Sequence, residues 1–330
     1  MPLLKILPLL IFSSALFSTW TNAACTAPPV ALQDMQGNRY YTDEHHSVVD
    51  PVLKAQNEAA AKPFNDYLKY VSNNSDAWLE KNDKASAICA LTWLEQWAQA
   101  RAMLGHIATS QAHYLRKWTL AGLAFSYLKL KTQATEQQKQ SIESWLNELA
   151  HVSLQHVLES KAPRNNHYYW VGLAVMVTSK ATNNVQLKDS AKRIFIDALN
   201  DIQDDGTLPL EMRRAGKALT YHNYSLAPLV MMAELAKAQH EDWYALKQYR
   251  LDLLMSRVLN GLENPRDFEL STGQTQEIPR GSILGWMLFA QKQRPQFATQ
   301  MQTHFSEKIW RNAQLGGNLN VLAAQNFFDK

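Results

Sequence analysis

From Asp50 onward, apolar residues return every third or fourth position, the period of a helix buried along one side. Asp50-Pro51 reads as an N-cap followed by proline at the first helical position. Leu53, Asn57, Ala60 and Phe64 follow at helical spacing, and Pro63 is expected to bend or divide that helix. Ile88, Leu91, Leu94, Trp97 and Ala98 form one apolar face over 85–104, and Leu115, Trp118, Leu120, Leu123 and Leu128 mark a helix over 113–130. The same period predicts helices over 137–158, 166–178, 187–202, 218–238, 244–262, 283–291 and 295–310. No run alternates apolar and polar residues as a half-buried strand would. The segments 85–104, 113–130, 166–178 and 218–238 are more apolar than their neighbours. Such alternation suits a double ring, with inner helices covered on most sides and outer helices wet on one. The pattern therefore predicts an all-α chain built as an α/α toroid, in one domain.

The first 24 residues read differently. Lys5 precedes an apolar run from Ile6 to Phe17, and small residues follow up to Ala23-Ala24. This is the layout of a cleaved secretory signal, and the run is too short to span a bilayer. Cleavage after Ala23 or after Ala24 fits equally, leaving 25–330 as the mature domain in the periplasm or outside the cell. Export makes the two cysteines, Cys25 and Cys89, candidates for a disulfide; two buried thiols are the alternative.

Residues 26–50 lack periodicity and carry Pro28-Pro29, Gln36-Gly37-Asn38 and Arg39-Tyr40-Tyr41. A loop with this content reads equally as a binding lid or an exposed connector. Lysine and arginine number 33 against 30 acidic residues, a net charge of +3 that is too mild to imply nucleic acid. Beyond the signal, no segment is apolar enough to cross a membrane. A monomer acting on an anionic polymer is the expected state.

Two stretches gather chemistry. Arg164-Asn165-Asn166-His167-Tyr168-Tyr169-Trp170 opens one apolar helix, and Arg213-Arg214 followed by Thr220-Tyr221-His222-Asn223-Tyr224 opens another. Together they offer an amide, imidazoles, guanidinium groups and phenols, with few carboxylates and no metal-ligand spacing. That inventory suits a substrate bringing its own carboxylate and differs from the acid pair of a glycoside hydrolase. His167 and Trp170, three apart, share a helix face; Arg214 and Tyr221, seven apart, do so if that stretch is helical. Each segment alone reads as well as a cap, a core histidine and a structural Arg–Tyr bond.

These residues also carry a resemblance. Asn165-Asn166-His167-Tyr168-Tyr169-Trp170 is similar to the NNHSYW block of the polysaccharide lyase family 5 alginate lyases. Leu208 to Arg214 with Ala218 to Leu226 resembles the family's LPNELKR…ALAYHNYAL block. Leu115-Arg116-Lys117-Trp118 resembles its MRKWAL, and Cys89-Ala90-Leu91-Thr92-Trp93 its ACALNW, in the same order along the chain. The resemblance implies an incomplete α/α toroid, an exported enzyme that needs no metal or cofactor, and cleavage of polyuronates by β-elimination. It places Asn166, His167 and Arg214 at the catalytic, carboxylate-neutralising positions and Tyr221 at the catalytic tyrosine. Arg39, Tyr40 and Tyr41 fall near the family's lid. Two departures stand out: Lys217 occupies the place of a second arginine, and Gln314 replaces another, with Arg311 one turn away. The loss of two guanidinium forks implies breadth that includes polyglucuronate. Tyr114, Trp170, Lys217, His222, Tyr224 and Arg311 complete the candidate sugar contacts. The competing classes are a non-catalytic glycan-binding protein, which would need no tyrosine shuttle, and a glycoside hydrolase, for which the motifs offer mainly Glu211.

Overall fold

The computed structural model describes residues 25–160, 163–305 and 309–329; the signal segment expected over 1–24 lies outside them. Helices α1 (Pro51–Lys81), α2 (Lys84–Gln99), α3 (Ser110–Leu130), α4 (Glu136–Glu159), α5 (Asn166–Thr182) and α6 (Val185–Asp201) are followed by a short α7 (Pro209–Met212). Then come α8 (Ala218–Lys237), α9 (Leu246–Glu263), α10 (Arg266–Thr272), α11 (Met287–Gln293), α12 (Ala298–Gln302) and α13 (Leu319–Ala324). Asp50 caps α1 by accepting from Val52 and Leu53, and the helix runs on through Pro63 without dividing.

The layering follows burial. Helices α1, α3, α5 and α8 pack side by side as an inner row, and α2, α4, α6 and α9 form a second row against them. In α3, α5 and α8 about three quarters of the positions are buried, so their apolar residues spread over most of the helix surface rather than along a stripe. The arrangement is an α/α toroid. One assignment from periodicity is corrected: α2 is an outer helix, and Ile88, read as core, is 54% exposed. Its buried face is held from above by the N-terminal segment. Trp93 donates its indole N–H to the Thr26 carbonyl at 2.7 Å, and Cys25 is joined to Cys89 by a disulfide.

The last third departs from long helices. The described residues of 295–310 hold only a short 3-10 turn and α12, and β1 (Arg311–Asn312) pairs antiparallel with β2 (Gly317–Asn318). Two-residue strands are too short for alternation to reveal them. This hairpin seats on Asp76 of α1, whose carboxylate takes Lys129 at 2.5 Å and the Asn318 N–H at 2.8 Å. Gly317 is required there: its φ is +90°, and a Cβ would lie 2.6 Å from the Asp76 carboxylate oxygens.

Candidate active site

Helices α3, α5 and α8 present their N-terminal ends to one cleft of about 700 Å³. Helix N-termini point backbone N–H groups and positive dipole ends outward, which favours an anion. Thr109 and Asn165 cap α3 and α5, so the helices start where Tyr114 and His167 can line the opening. The loop carrying Arg39, Tyr40, Tyr41 and His46 forms the opposite wall, so these four residues line the cleft, while Thr42, Glu44 and His45 between them are exposed. Arg39, Arg214 and Lys217 face a single lining carboxylate, Glu277, which sits 3.3 Å from Lys217.

Tyr221 lies at the centre. Its hydroxyl is 2.9 Å from that of Tyr41, and the Arg214 guanidinium stands 4.6 Å from its ring centroid. Arg214 does not share a helix with Tyr221, as the spacing suggested. It precedes a 3-10 turn, Ala215–Lys217, in which Ala215 takes a left-handed φ of +51°, and α8 begins only at Ala218. The turn swings the guanidinium over the ring. Burial pushes the Tyr221 phenol up; the Tyr41 hydrogen bond and Arg214 pull it back in part. Burial also raises Tyr40, to about 12.

His167 stacks on Tyr114, ring centroids 3.5 Å apart. Burial, then Lys117 and Arg214, hold its imidazole well below the ordinary range, so it is neutral at pH 7. Asn166, directly before it, is fully buried and does not line the cleft. Its backbone N–H and its Nδ2 both donate to Glu211 Oε1, at 2.7 and 3.0 Å. The other Glu211 oxygen accepts from Arg214 Nε at 3.4 Å. Glu211 therefore clamps the two motifs together; as the lone acid of its motif it was visible in the sequence, but its partners were not.

Three expected sugar contacts are placed elsewhere. Trp170 is fully buried and spends its indole N–H on the Tyr224 carbonyl. His222 is fully buried, bridging the Ala218 carbonyl and the Leu208 N–H at 2.8 Å each, a structural pin between α7 and α8. Arg311 pairs with Asp76 and Glu80, near the C-terminal end of α1 and away from the cleft. Gln314 sits beside it in the turn between β1 and β2, outside the cleft. Tyr114, Lys217 and Tyr224 do line the cleft, joined by Trp118, Thr220 and His46, which periodicity and motif reading did not single out as contacts. Among the described residues no group of three or more His, Cys, Asp or Glu could hold a metal ion.

A family profile described as Alginate lyase matches residues 34–268. A relative from Stenotrophomonas maltophilia (strain K279a), described as a polysaccharide lyase, is 41% identical over 323 residues, spanning 97% of this chain and 95% of the relative. The crystal structure of alginate lyase A1-III from Sphingomonas species A1 superposes with a TM-score of 0.78 at 25% identity, covering 92% of this chain and 86% of that one. A variant of that enzyme complexed with a tetrasaccharide superposes at 0.81, with 24% identity over 94% of this chain and 91% of the other. With two thirds of its length inside the profile and a near full-length relative, this chain belongs to the alginate lyase family and is a polysaccharide lyase.

Proposed function

We propose that the protein is an exported lyase that cleaves 1,4-linked polyuronates by β-elimination, with 25–330 as one catalytic domain acting as a monomer. The observation that carries the reading is Tyr221, its hydroxyl against that of Tyr41 and its ring under Arg214, in a cationic cleft at three helix N-termini. Elimination removes the proton at C5, beside the uronate carboxylate, and the C–H electron pair forms the C4–C5 double bond as the C4–O bond breaks. Charge builds on the carboxylate, so donors fixed there stabilise the transition state. Arg214 supplies a guanidinium and neutral His167 an N–H, while Asn166, buried behind the cleft, holds Glu211 and through it positions Arg214. Tyr221 takes the C5 proton as phenolate and returns it to the leaving oxygen, which in mannuronate lies on the same ring face. In a C5 epimer the proton lies on the other face, where His167 is the base.

Breadth rests on Lys217 alone, because Gln314 lies outside the cleft. A point charge in place of a planar fork discriminates less between hydroxyl patterns, so polyglucuronate is cleaved as well as polymannuronate, and polyguluronate least. The Cys25–Cys89 bridge fits an oxidising compartment, and no helix among the described residues is long and apolar enough to cross a membrane. Incubation with the three polymers, followed by ultraviolet absorbance of unsaturated ends, tests the reaction and its breadth together. No absorbance from any polyuronate refutes elimination; cleavage of polymannuronate alone refutes the breadth.

A further inference from the structure

Behind the cleft, between α3, α4 and α5, lies a second cavity of about 200 Å³. The stacked rings of Tyr114 and His167 line both spaces. Its wall holds the charged pair of the Leu115-Arg116-Lys117-Trp118 motif, for which the reaction above has no use. Lys117 is 2% exposed and Arg116 5%. Among the described residues neither makes an ion pair, and no aspartate or glutamate lines the cavity. Lys117 has only ring faces, its Nζ 4.1 Å above Tyr114. Arg116 donates one nitrogen to the Val152 carbonyl at 3.1 Å and to His113 Nδ1 at 3.2 Å, while its buried Nε has no partner among the described residues. His113 accepts through Nδ1 and so keeps its proton on Nε2; its ring stacks on His156 at 3.4 Å. The Ser153 hydroxyl, also on this wall, and the His167 Nδ1 are buried without partners among the described residues. Glu159, which acts on His156, is exposed at the end of α4 and does not line the space.

A guanidinium, a lysine amine whose pKa burial pushes well down, and several polar hydrogen-bonding groups thus share one recess with no acidic side chain among the described lining residues. Buried cations are costly unless paired, and charge-assisted bonds to an oxyanion would satisfy these donors together. We propose that this cavity is an anion site, taking one small oxyanion (phosphate, sulfate or a carboxylate) between Arg116, Lys117 and the His113–His156 pair. The volume admits such an ion and excludes a polymer. The site is independent of which polyuronate the cleft prefers, and of whether the reaction is elimination.

Isothermal titration calorimetry on the full mature protein, at constant ionic strength, tests it. Phosphate and sulfate form one arm, acetate and glucuronate the other. One saturable site per chain is expected in wild type, with Kd raised at least tenfold in Lys117→Met and unchanged in Lys217→Met, which alters only the cleft. Saturation by phosphate or sulfate assigns a free inorganic ion and saturation by acetate or glucuronate alone a sugar-type carboxylate; either supports the site when Lys117→Met weakens it and Lys217→Met does not, and overturns it when only Lys217→Met weakens it, which places the ion in the cleft. Should Lys117→Met fail to fold, His156→Gln, at a half-buried position, is expected to weaken binding likewise. Absence of saturable binding in wild type, or equal binding in the Lys117 or His156 variants, overturns the proposal.

Discussion

The hydroxyls of Tyr41 and Tyr221 meet at 2.9 Å although 180 residues separate them in the chain. One comes from a loop without periodicity, the other from the first turn of an inner helix. The contact joins the loop that walls the cleft to the residue proposed to move the proton. Tyr221→Phe removes only a hydroxyl, and turnover is expected to fall by about a thousandfold or more, at the upper range of general acid–base contributions, with polymer binding retained. Ultraviolet assays alongside binding measurements check this; residual activity above a tenth of wild type would remove Tyr221 from the role.

The same contact sets a pH dependence. A phenol has a pKa of about 10 in water, and burial raises Tyr221 above that, against the pull of Tyr41 and Arg214. The base is the deprotonated form, so kcat/KM should climb as pH rises from 6 to 9, by up to about tenfold per unit. Tyr41→Phe deletes a hydrogen bond that lowers the pKa, so the rising limb should move to higher pH. A limb that moves down, or stays put, contradicts the assignment.

Much of this was legible in sequence, and the failures have physical causes. Helices α3, α5 and α8 betrayed themselves because each is covered on most sides and is apolar over most of its surface, whereas the inner α1 is exposed along much of its length. Helix α2 misled because the apolar face of an outer helix resembles that of an inner one when a loop covers it; Trp93 packs beneath the N-terminal segment through its bond to Thr26. Arg214 and Tyr221 meet for a reason that spacing could not supply, a left-handed Ala215. His222 and Trp170 were chosen by residue type, and burial decides against both.

His222 also yields a stability prediction. Burial lowers its pKa to about 4, and His113, also chiefly through burial, falls to about 4. The unfolded chain therefore binds more protons than the folded one between about pH 4 and 6.5. Stability is full above pH 6.5 and is lost as pH falls toward 4, with His222 contributing about 3 kcal/mol of that loss. Urea midpoints at pH 7.5 and 4.5 should show a marked fall, smaller in His222→Gln.

Arg311→Ala should leave KM for any cleaved polymer within about twofold, because Asp76 and Glu80 hold that guanidinium away from the cleft. Its stability cost should be about 1 kcal/mol or less, as for a half-exposed pair. A tenfold rise in KM would return Arg311 to the substrate.

Reduction of Cys25–Cys89, or Cys89→Ser, should lower unfolding free energy by about 4 kcal/mol, the loop-closure value for a 64-residue separation. Denaturation with and without reductant checks this. No change would mean that the N-terminal segment is held by its hydrogen bonds alone.

The seating of β2 on Asp76 has a consequence for the order in which the molecule is made. A chain that emerges N-terminus first exposes Asp76 and Lys129 well before Gly316, whose carbonyl accepts from Lys129 at 2.5 Å, and Asn318, which closes on Asp76. Until the last turn of the sequence arrives, that ion pair has water where the hairpin will lie. Separations of this size carry a large loop-closure entropy, so the closing contact forms late and folding is slow for a helical protein. The hairpin is therefore a completion latch: a chain ending before 318 lacks the Gly316 and Asn318 partners of the buried Lys129–Asp76 pair, and is expected to be cut faster in limited proteolysis than the full chain.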